Sequence, residues 1–560
     1  MKTWNLTISA VLLIGALAYA PLLKAGFLTY NDSVVVYRID EDGPLNWEAV
    51  KKIFNSRMLE TYTPLTILSY AIEEQFLGFN AVITHLDNIL LHLLNAYLVY
   101  LLVLRLWFPL NGRPVAIFAA LLFCLHPMHV CSVAWATLRK DVLYSAFYLA
   151  SCLMWITYIR YGIGRRYIYA LVFAVLSILA KPMALSLPFI LFLIDWFVGR
   201  KKFHWLDKIP FMVAMWMVAA ITFWADSNAT VMAFTSAKSP MVWAWCFWFY
   251  PLKFIFPFSL HEFYAIPDSN WILAIAFVAL GALPAIFTRR NALLWFGVLW
   301  YVLSIFFLLR GHFMMTDQVA DRYMYLPSVG LCIYFAYLLN TYVHRRWLIA
   351  VLFFALFLKV WGQMPTWENS MSFYNHVLKN NTNVGNILML RGREHYVNEE
   401  YDAALADYRR ALDSRANRKD IDECYFYIGK IYVFKKDYDM AYRVFNRMRG
   451  RRDSQDFMAW NAYALLKMGR YDAALRELNK ALREQDVAQN YYYRGLCNAE
   501  LGHIEQARQD FTMARDLADN ASDAKEAQQE IDKIGPSSRL LNYQKNLEEV
   551  VWMAQKMRDK

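Results

Sequence analysis

At 560 residues, 58% hydrophobic and 19% charged, the chain is too long for a single globular core and too apolar for an ordinary soluble one. Its net charge of +11 does not argue for nucleic acid, because the basic residues sit mainly at the ends of apolar segments, as loop charges of membrane proteins do. The seven cysteines (Cys124, Cys131, Cys152, Cys246, Cys332, Cys424 and Cys497) lack paired CxxC spacing, which argues against a disulfide framework or a zinc site.

Up to Trp361 the chain consists of long apolar runs separated by short basic or aromatic links. A spanning helix takes about 20 residues, fewer if its ends snorkel. Candidate spans are Leu6–Leu23, Val82–Trp107, Pro114–Trp135, Val142–Ile159, Tyr167–Ala180, Met183–Val198, Ile209–Trp224, Met241–Phe258, Trp271–Phe287, Ala292–Leu309, Tyr323–Val343 and Trp347–Trp361. Leu6–Leu23 lacks a convincing small-x-small cleavage site before Gly26 and is followed by many further candidate spans, so it reads as the first membrane helix rather than a signal peptide. Basic links at Arg105/Arg113, Arg160/Arg165/Arg166, Arg200/Lys201/Lys202, Arg289/Arg290 and Arg345/Arg346 fall on one side if Met241–Phe258, with Lys253 and two prolines, does not cross. The positive-inside rule then predicts about eleven spans, a cytoplasmic N-terminus and a non-cytoplasmic C-terminal part.

Beyond Asn386 a second pattern takes over. Gly392…Tyr401-x-x-Ala404…Tyr408 is followed by Gly429…Tyr438-x-x-Ala441…Phe445, Ala462…Tyr471-x-x-Ala474 and Gly495…Ile504-x-x-Ala507…Phe511. The anchoring alanines are 37, 33 and 33 residues apart, near the 34-residue tetratricopeptide (TPR) period, in which small residues let paired helices pack closely. The expected organisation is all-α: a polytopic membrane domain over 1–361 with a long outer loop at 24–80, a helical linker at 362–385, a TPR solenoid of four repeats over 386–518, and capping or tail helices over 519–560.

Polar groups inside apolar runs are costly and therefore point to function. His85, Asn88, His92 and Asn95 form a helical stripe that serves either interhelical hydrogen bonding or a cavity wall. Arg139, Lys140, Lys181, Lys253, Arg310 and Arg322 fall at outer membrane edges, against the positive-inside pattern. Six on one face suggest a site for a phosphate or pyrophosphate, although each alone could snorkel. Asp141 and Asp321 lie beside Arg139 and Arg322 and would orient or neutralise them. In the long outer loop, Asp32 is placed to act as a general base near such a site, or is an ordinary helix-flanking carboxylate.

Taken together, Phe27-Leu28-Thr29-Tyr30-Asn31-Asp32, Tyr62-Thr63-Pro64-Leu65-Thr66, His85-Leu86-Asp87-Asn88 with His92, Leu125-His126-Pro127-Met128-His129-Val130, Arg139-Lys140-Asp141, Ala180-Lys181-Pro182 and Ala320-Asp321-Arg322-Tyr323-Met324-Tyr325-Leu326-Pro327 resemble one family. The pattern is similar to the transmembrane-and-TPR-containing O-mannosyltransferases, and more closely to their bacterial relatives, within the GT-C class of membrane glycosyltransferases. The resemblance implies a polyprenyl-phosphate sugar donor, mannose first among the sugars, and an exported acceptor polypeptide held by the TPRs. Asp32 would be the catalytic base, and Arg139, Lys140, Lys181 and Arg322 would bind the donor phosphate. Asn31, Tyr62, His85, Asn88, His92, His126, His129, Asp141, Asp321 and Tyr325 would line the site. No cofactor is implied with certainty, and a metal requirement is left open. The implied location is the bacterial inner membrane with the TPRs in the periplasm.

This chain departs from the family at two acids: Asn31 stands in place of the first member of an acidic pair, and Cys131 in place of a glutamate. Those losses favour an alternative, a catalytically inactive TPR membrane scaffold for envelope or secretion assembly. A third reading keeps the GT-C chemistry but moves the sugar to a glycan or lipid.

Overall fold

The computed structural model describes residues 2–30, 32, 44–55, 62–78, 80–107, 112–200, 204–225, 239–264, 291–305, 319–381, 384–414, 418–448 and 455–534. Among them there is no strand. The chain divides into two compact units, Met1–Thr382 and Asn383–Lys560.

The first unit opens with α1 (Lys2–Tyr19), α2 (Trp47–Asn55), α3 (Pro64–Leu77) and α4 (Ala81–Leu106). Asn80 starts α4 by accepting the Val82 N–H at 2.8 Å, a side-chain N-cap. This helix turns the usual amphipathic pattern inside out. Its polar stripe of His85, Asn88, His92 and Asn95 is buried, whereas Leu86, Leu90, Leu94 and Tyr97 on the other side are exposed. A helix in lipid needs that arrangement: apolar groups face hydrocarbon and polar ones find protein partners.

Next comes α5 (Arg113–Leu125), then a short turn at Pro127–His129 and α6 (Val130–Ala134). The chain bends by 50° between α5 and the segment Pro127–Ala134, because proline cannot continue the helical hydrogen bonding of the preceding turn. Helix α7 (Arg139–Tyr161) stops at Gly162, whose φ of +65° suits glycine. It is followed by α8 (Gly164–Ala180), α9 (Leu187–Val198), α10 (Ile209–Ala225) and α11 (Ser239–Ile255). The unit closes with α12 (Ala292–Ile305), α13 (Ser328–Tyr342), α14 (Arg346–Gln363) and α15 (Ser370–Asn380). Gly297 and Gly330 let α12 and α13 touch backbone to backbone: a Cβ on either would lie 2.8 or 2.6 Å from the other's carbonyl oxygen. Small residues at such crossings are how helices pack without a hydrophobic drive.

Four helical segments among the described residues are long and apolar enough to cross a membrane: Thr7–Lys24, Ala81–Leu106, Ala136–Tyr161 and Arg346–Trp367. The bent pair Arg113–Leu125 and Pro127–Ala134 makes a fifth if it crosses as one. The chain is on this ground a membrane protein, but the count of about eleven is not reached. The expected span Met183–Val198 is part of a shorter apolar helical element, Pro182–Val198, and Ala292–Ile305 is also short. Trp271–Phe287, Arg289, Arg290, Arg310, Lys201, Lys202, Asn31 and the tail from Gly535 lie outside the described residues.

The second unit is a run of helix pairs: α16 (Gly385–Val397) with α17 (Tyr401–Asp413), α18 (Arg418–Phe434) with α19 (Tyr438–Met448), α20 (Gln455–Lys467) with α21 (Tyr471–Glu484), and α22 (Ala488–Glu500) with α23 (Ile504–Asp516). A last helix, α24 (Ala521–Lys533), follows. Ala404, Ala441, Ala474 and Ala507 are fully buried. Gly392, Gly429 and Gly495 face the rings of Tyr408, Phe445 and Phe511, so the repeating small residues are the places where one helix of a pair meets the aromatic of the other.

Candidate functional site

The bend between α5 and α7 gathers most of the residues singled out above. Asp32 follows α1 and is only 1% exposed. One carboxylate oxygen accepts the Leu28 N–H at 2.8 Å, and the other accepts the Thr137 N–H at 3.1 Å. Burial raises its pKa to about 7, outweighing the lowering by these hydrogen bonds. Thr137 stands three residues before Lys140, so the acid is fastened to the turn that launches the cationic start of α7. Tyr30 packs against Trp135, Phe263 and Phe373, with ring centroids 5.3, 5.7 and 6.4 Å away.

The four cations differ in what they hold. Arg139, 2% exposed, is ion-paired with Glu73, lies 3.6 Å from Asp87 and sits 4.2 Å from the centre of the Tyr70 ring. Its Nε donates to Asn88 Oδ1 at 3.3 Å, and Glu73 also accepts from Thr84. Lys181 is paired with Asp141, which accepts a 3.3 Å hydrogen bond from Ser132. Arg322 lies 3.4 Å from Glu262 and 4.8 Å from the centre of the Tyr323 ring. Lys140 has no hydrogen bond or ion pair with any described residue, yet it interacts electrostatically with Lys181, Asp141 and Arg322. Cations within mutual reach, one of them without an ion pair among the described residues, form an attractive place for an anion.

The histidines behave differently. Both ring nitrogens of His92 have partners, the Tyr325 hydroxyl at 2.7 Å and the Cys124 carbonyl at 3.0 Å. So do those of His129, with the Phe123 carbonyl at 2.6 Å and Ser328 Oγ at 2.8 Å. His126 meets the Phe254 carbonyl at 3.0 Å and accepts from the Met128 N–H at 3.3 Å. These rings tie helices together. His85 meets the Gly26 carbonyl at 3.5 Å through Nε2, while its buried Nδ1 has no partner among the described residues. Tyr62 donates to the Phe54 carbonyl at 3.0 Å within the first loop. Tyr325 also accepts from Asn95 at 3.2 Å.

Asp321 accepts from the Tyr264 hydroxyl at 2.8 Å, and burial first, then Glu262, raises its pKa. Burial raises that of Glu262 too, against the pull of Arg322. Neither Glu262 nor Glu73 was singled out from sequence. The available signal was weaker than for the others: Glu73 shares Ala71–Leu77 with Glu74 and Gln75, and Glu262 follows His261 between Leu260 and Phe263. No group of three or more His, Cys, Asp and Glu side chains suited to a metal ion occurs among the described residues.

No protein-family profile matches the chain. Among curated proteins it is similar to protein O-mannosyl-transferase TMTC1 of Mus musculus, 30% identical over 26% of this chain and 16% of that protein. Protein O-mannosyl-transferase F38B6.6 of Caenorhabditis elegans is 22% identical over 58% of this chain and 49% of its own length. Drosophila melanogaster Tmtc1, also a protein O-mannosyl-transferase, is 24% identical over 35% and 25%. The chain thus spans less than half the length of each of these relatives. Of solved structures, the oligosaccharyltransferase of Archaeoglobus fulgidus tethered to an acceptor peptide is similar over 78% of this chain and 58% of that one, at 14% identity and a TM-score of 0.34. The TPR protein YrrB, with its peptide-binding site, is similar over 33% of this chain and 97% of its own, at 18% identity and a TM-score of 0.25.

Proposed function

We propose that the chain is a membrane glycosyltransferase of GT-C type. It moves a sugar, mannose first among the alternatives, from a polyprenyl phosphate to a hydroxyl of an exported polypeptide. The observation that carries this reading is Lys140, without an ion pair among the described residues and within electrostatic reach of Lys181 and Arg322, on the turn whose Thr137 holds Asp32. Lys140, Lys181 and Arg322 bind the phosphate and stabilise the charge that builds on it as the sugar leaves. Asp32 takes the proton of the acceptor hydroxyl; a carboxylate raised to about 7 is in the range where a general base works best. Arg139, held by Glu73 and Asp87, positions this turn rather than meeting the phosphate first. The three relatives named as protein O-mannosyl-transferases support the same class. In the proposed setting, a bacterial inner membrane, the N-terminus is cytoplasmic and the helical repeats hold the acceptor in the periplasm.

A second reading, the inactive scaffold, is favoured by the burial of Asp32 and by the engagement of both its oxygens with backbone N–H groups, as a structural carboxylate would have. One experiment separates the two. Purified protein is given labelled polyprenyl-phosphate mannose and exported acceptor polypeptides, and wild type is compared with Asp32→Asn and Arg322→Ala. Loss of transfer in both variants, with folding retained, supports the transferase. Absence of transfer by well-folded wild type with every sugar tried overturns it in favour of the scaffold.

A further inference from the structure

The donor-phosphate reading leaves an open matter: Lys181 and Arg322 already face carboxylates. The two pairs are not alike. Asp141, which holds Lys181, belongs to α7 itself and takes a second hydrogen bond from Ser132. Glu262 belongs to no helix. It lies on the segment between α11 and the residues after Tyr264, and meets Arg322 through a single 3.4 Å contact, long for a charge-assisted hydrogen bond.

The backbone around Glu262 is fixed on both sides. Lys253 donates to the Ser259 carbonyl at 3.1 Å, His376 meets the Leu260 carbonyl at 3.1 Å, and Asn381 donates to the Phe263 carbonyl at 3.1 Å. The Tyr264 N–H reaches the Val319 carbonyl at 3.3 Å, and its hydroxyl reaches Asp321. The segment is therefore stapled on both sides of Glu262. Besides Arg322, the carboxylate has the Cys131 thiol as a hydrogen-bonding neighbour, so it keeps a partner if Arg322 turns away.

We infer that Glu262 is a stand-in anion: it holds Arg322 in the empty site and is exchanged for a phosphate oxygen of the lipid-linked donor. Arg322 keeps a charged partner throughout, and the exchange costs less than ordering an unpaired guanidinium. Glu262 is a positioning and specificity residue, since only a ligand with an oxyanion in reach of Arg322 displaces it. The inference rests on the proposed donor site but concerns a residue to which that site assigned nothing.

The test is binding of undecaprenyl phosphate to full-length protein in detergent, with inorganic phosphate and undecaprenol as companion probes. A site blocked by an internal competitor shows an apparent affinity reduced by the fraction that is open. Glu262→Gln keeps the acceptor oxygen and removes the charge, so it should bind undecaprenyl phosphate roughly fivefold more tightly than wild type. Glu262→Asp, which keeps the charge, should stay near wild type and controls for disturbed folding. The gain should vanish in Glu262→Gln/Arg322→Gln. Inorganic phosphate should rank the variants in the same order with weaker affinity, and undecaprenol, which lacks the anion, should not distinguish them. Unchanged or weaker binding by folded Glu262→Gln, with wild type still binding, overturns the exchange and leaves the donor site standing. Absence of binding by wild type and every variant removes the donor site and the exchange together.

Discussion

The two units stabilise buried charge in opposite ways. In the first, the partners around the candidate site come from far apart along the chain: Arg139 with Glu73 over 66 residues, Lys181 with Asp141 over 40, and Arg322 with Glu262 over 60. In the second they come from within one helix pair. Arg391 meets Asp407 through two 2.6 Å hydrogen bonds, and Arg494 meets Asp510 at 2.6 Å, each across 16 residues. These helix pairs thus close their own buried polar contacts, whereas the three long-range pairs of the first unit fix the approach of segments that nothing local brings together; its Lys208–Asp195 and Arg200–Asp195 pairs are local. A charge kept from water costs far more when its partner is removed, so damage to the two units should differ in size and in reach.

The largest effect should follow Glu73→Ala. Arg139 would stay buried with Asp87 at 3.6 Å as its remaining carboxylate. Breaking a buried pair costs about 3–5 kcal/mol, and the loss should appear as a lower melting temperature in detergent and faster hydrogen exchange through α3, α4 and the start of α7. Replacing both partners, as Glu73→Leu with Arg139→Met, should recover much of it. A single variant that melts like wild type would mean that the pair is not what holds α3 to α7.

Asp32 sharpens the comparison through pH. Its folded pKa of about 7 stands above the ordinary 3.8, so the folded chain binds this proton more tightly than the unfolded one. The stability from that proton is fully present below pH 3.8 and is lost as pH rises toward 7. Wild type minus Asp32→Asn should therefore show a melting-temperature difference that falls across this window and is flat above it. A difference that rises with pH would reverse the sign and place the carboxylate in a polar setting. If Asp32 is also the proposed base, transfer should climb through the same upper limit as the carboxylate ionises.

The same contrast explains what could be read from the residues alone. The repeat half was legible because its contacts are local and periodic: alanines 33 or 37 residues apart are the fully buried ones, and the glycine–aromatic contacts recur at 16 residues. In the membrane half, basic residues at outer membrane edges and a carboxylate in the long outer loop single out Arg139, Lys140, Lys181, Arg322 and Asp32. Their partners did not follow, because pairing across 60 residues leaves no spacing to detect. Glu262 is not legible for that reason, and His92 of the polar stripe and His129 stand out in the sequence although both are satisfied by protein groups. The count of about eleven spans is not confirmed among the described residues, where Pro127 and Pro182 interrupt two of the expected runs, which apolar composition does not reveal.

In the second unit the damage should be smaller and confined. A Cβ at Gly495 would lie 2.8 Å from the Phe511 ring, so Gly495→Val should force α22 from α23 at about 1–3 kcal/mol. Hydrogen exchange should quicken in α22, α23 and the neighbouring pair, and stay unchanged around Asp32 and Arg139. Spread of the effect into the first unit would mean that the two do not hold their stability separately.

The smallest effects test whether burial or distance sets the scale. Arg494–Asp510, with side chains 24% and 6% exposed, and Arg443–Asp439, with 69% and 51%, have almost the same separation, 2.6 and 2.7 Å. Asp510 also accepts from Asn498 at 2.8 Å, so Asp510→Asn disturbs a buried network and should cost about 1.5–3 kcal/mol, as charged hydrogen bonds do. Asp439→Asn breaks a contact that water and salt already screen and should change the melting temperature by no more than the scatter of replicate measurements. Equal losses from the two would mean that contact geometry rather than burial governs these pairs. The long-range pairs of the membrane unit would then hold no more stability than the exposed ones of the repeats.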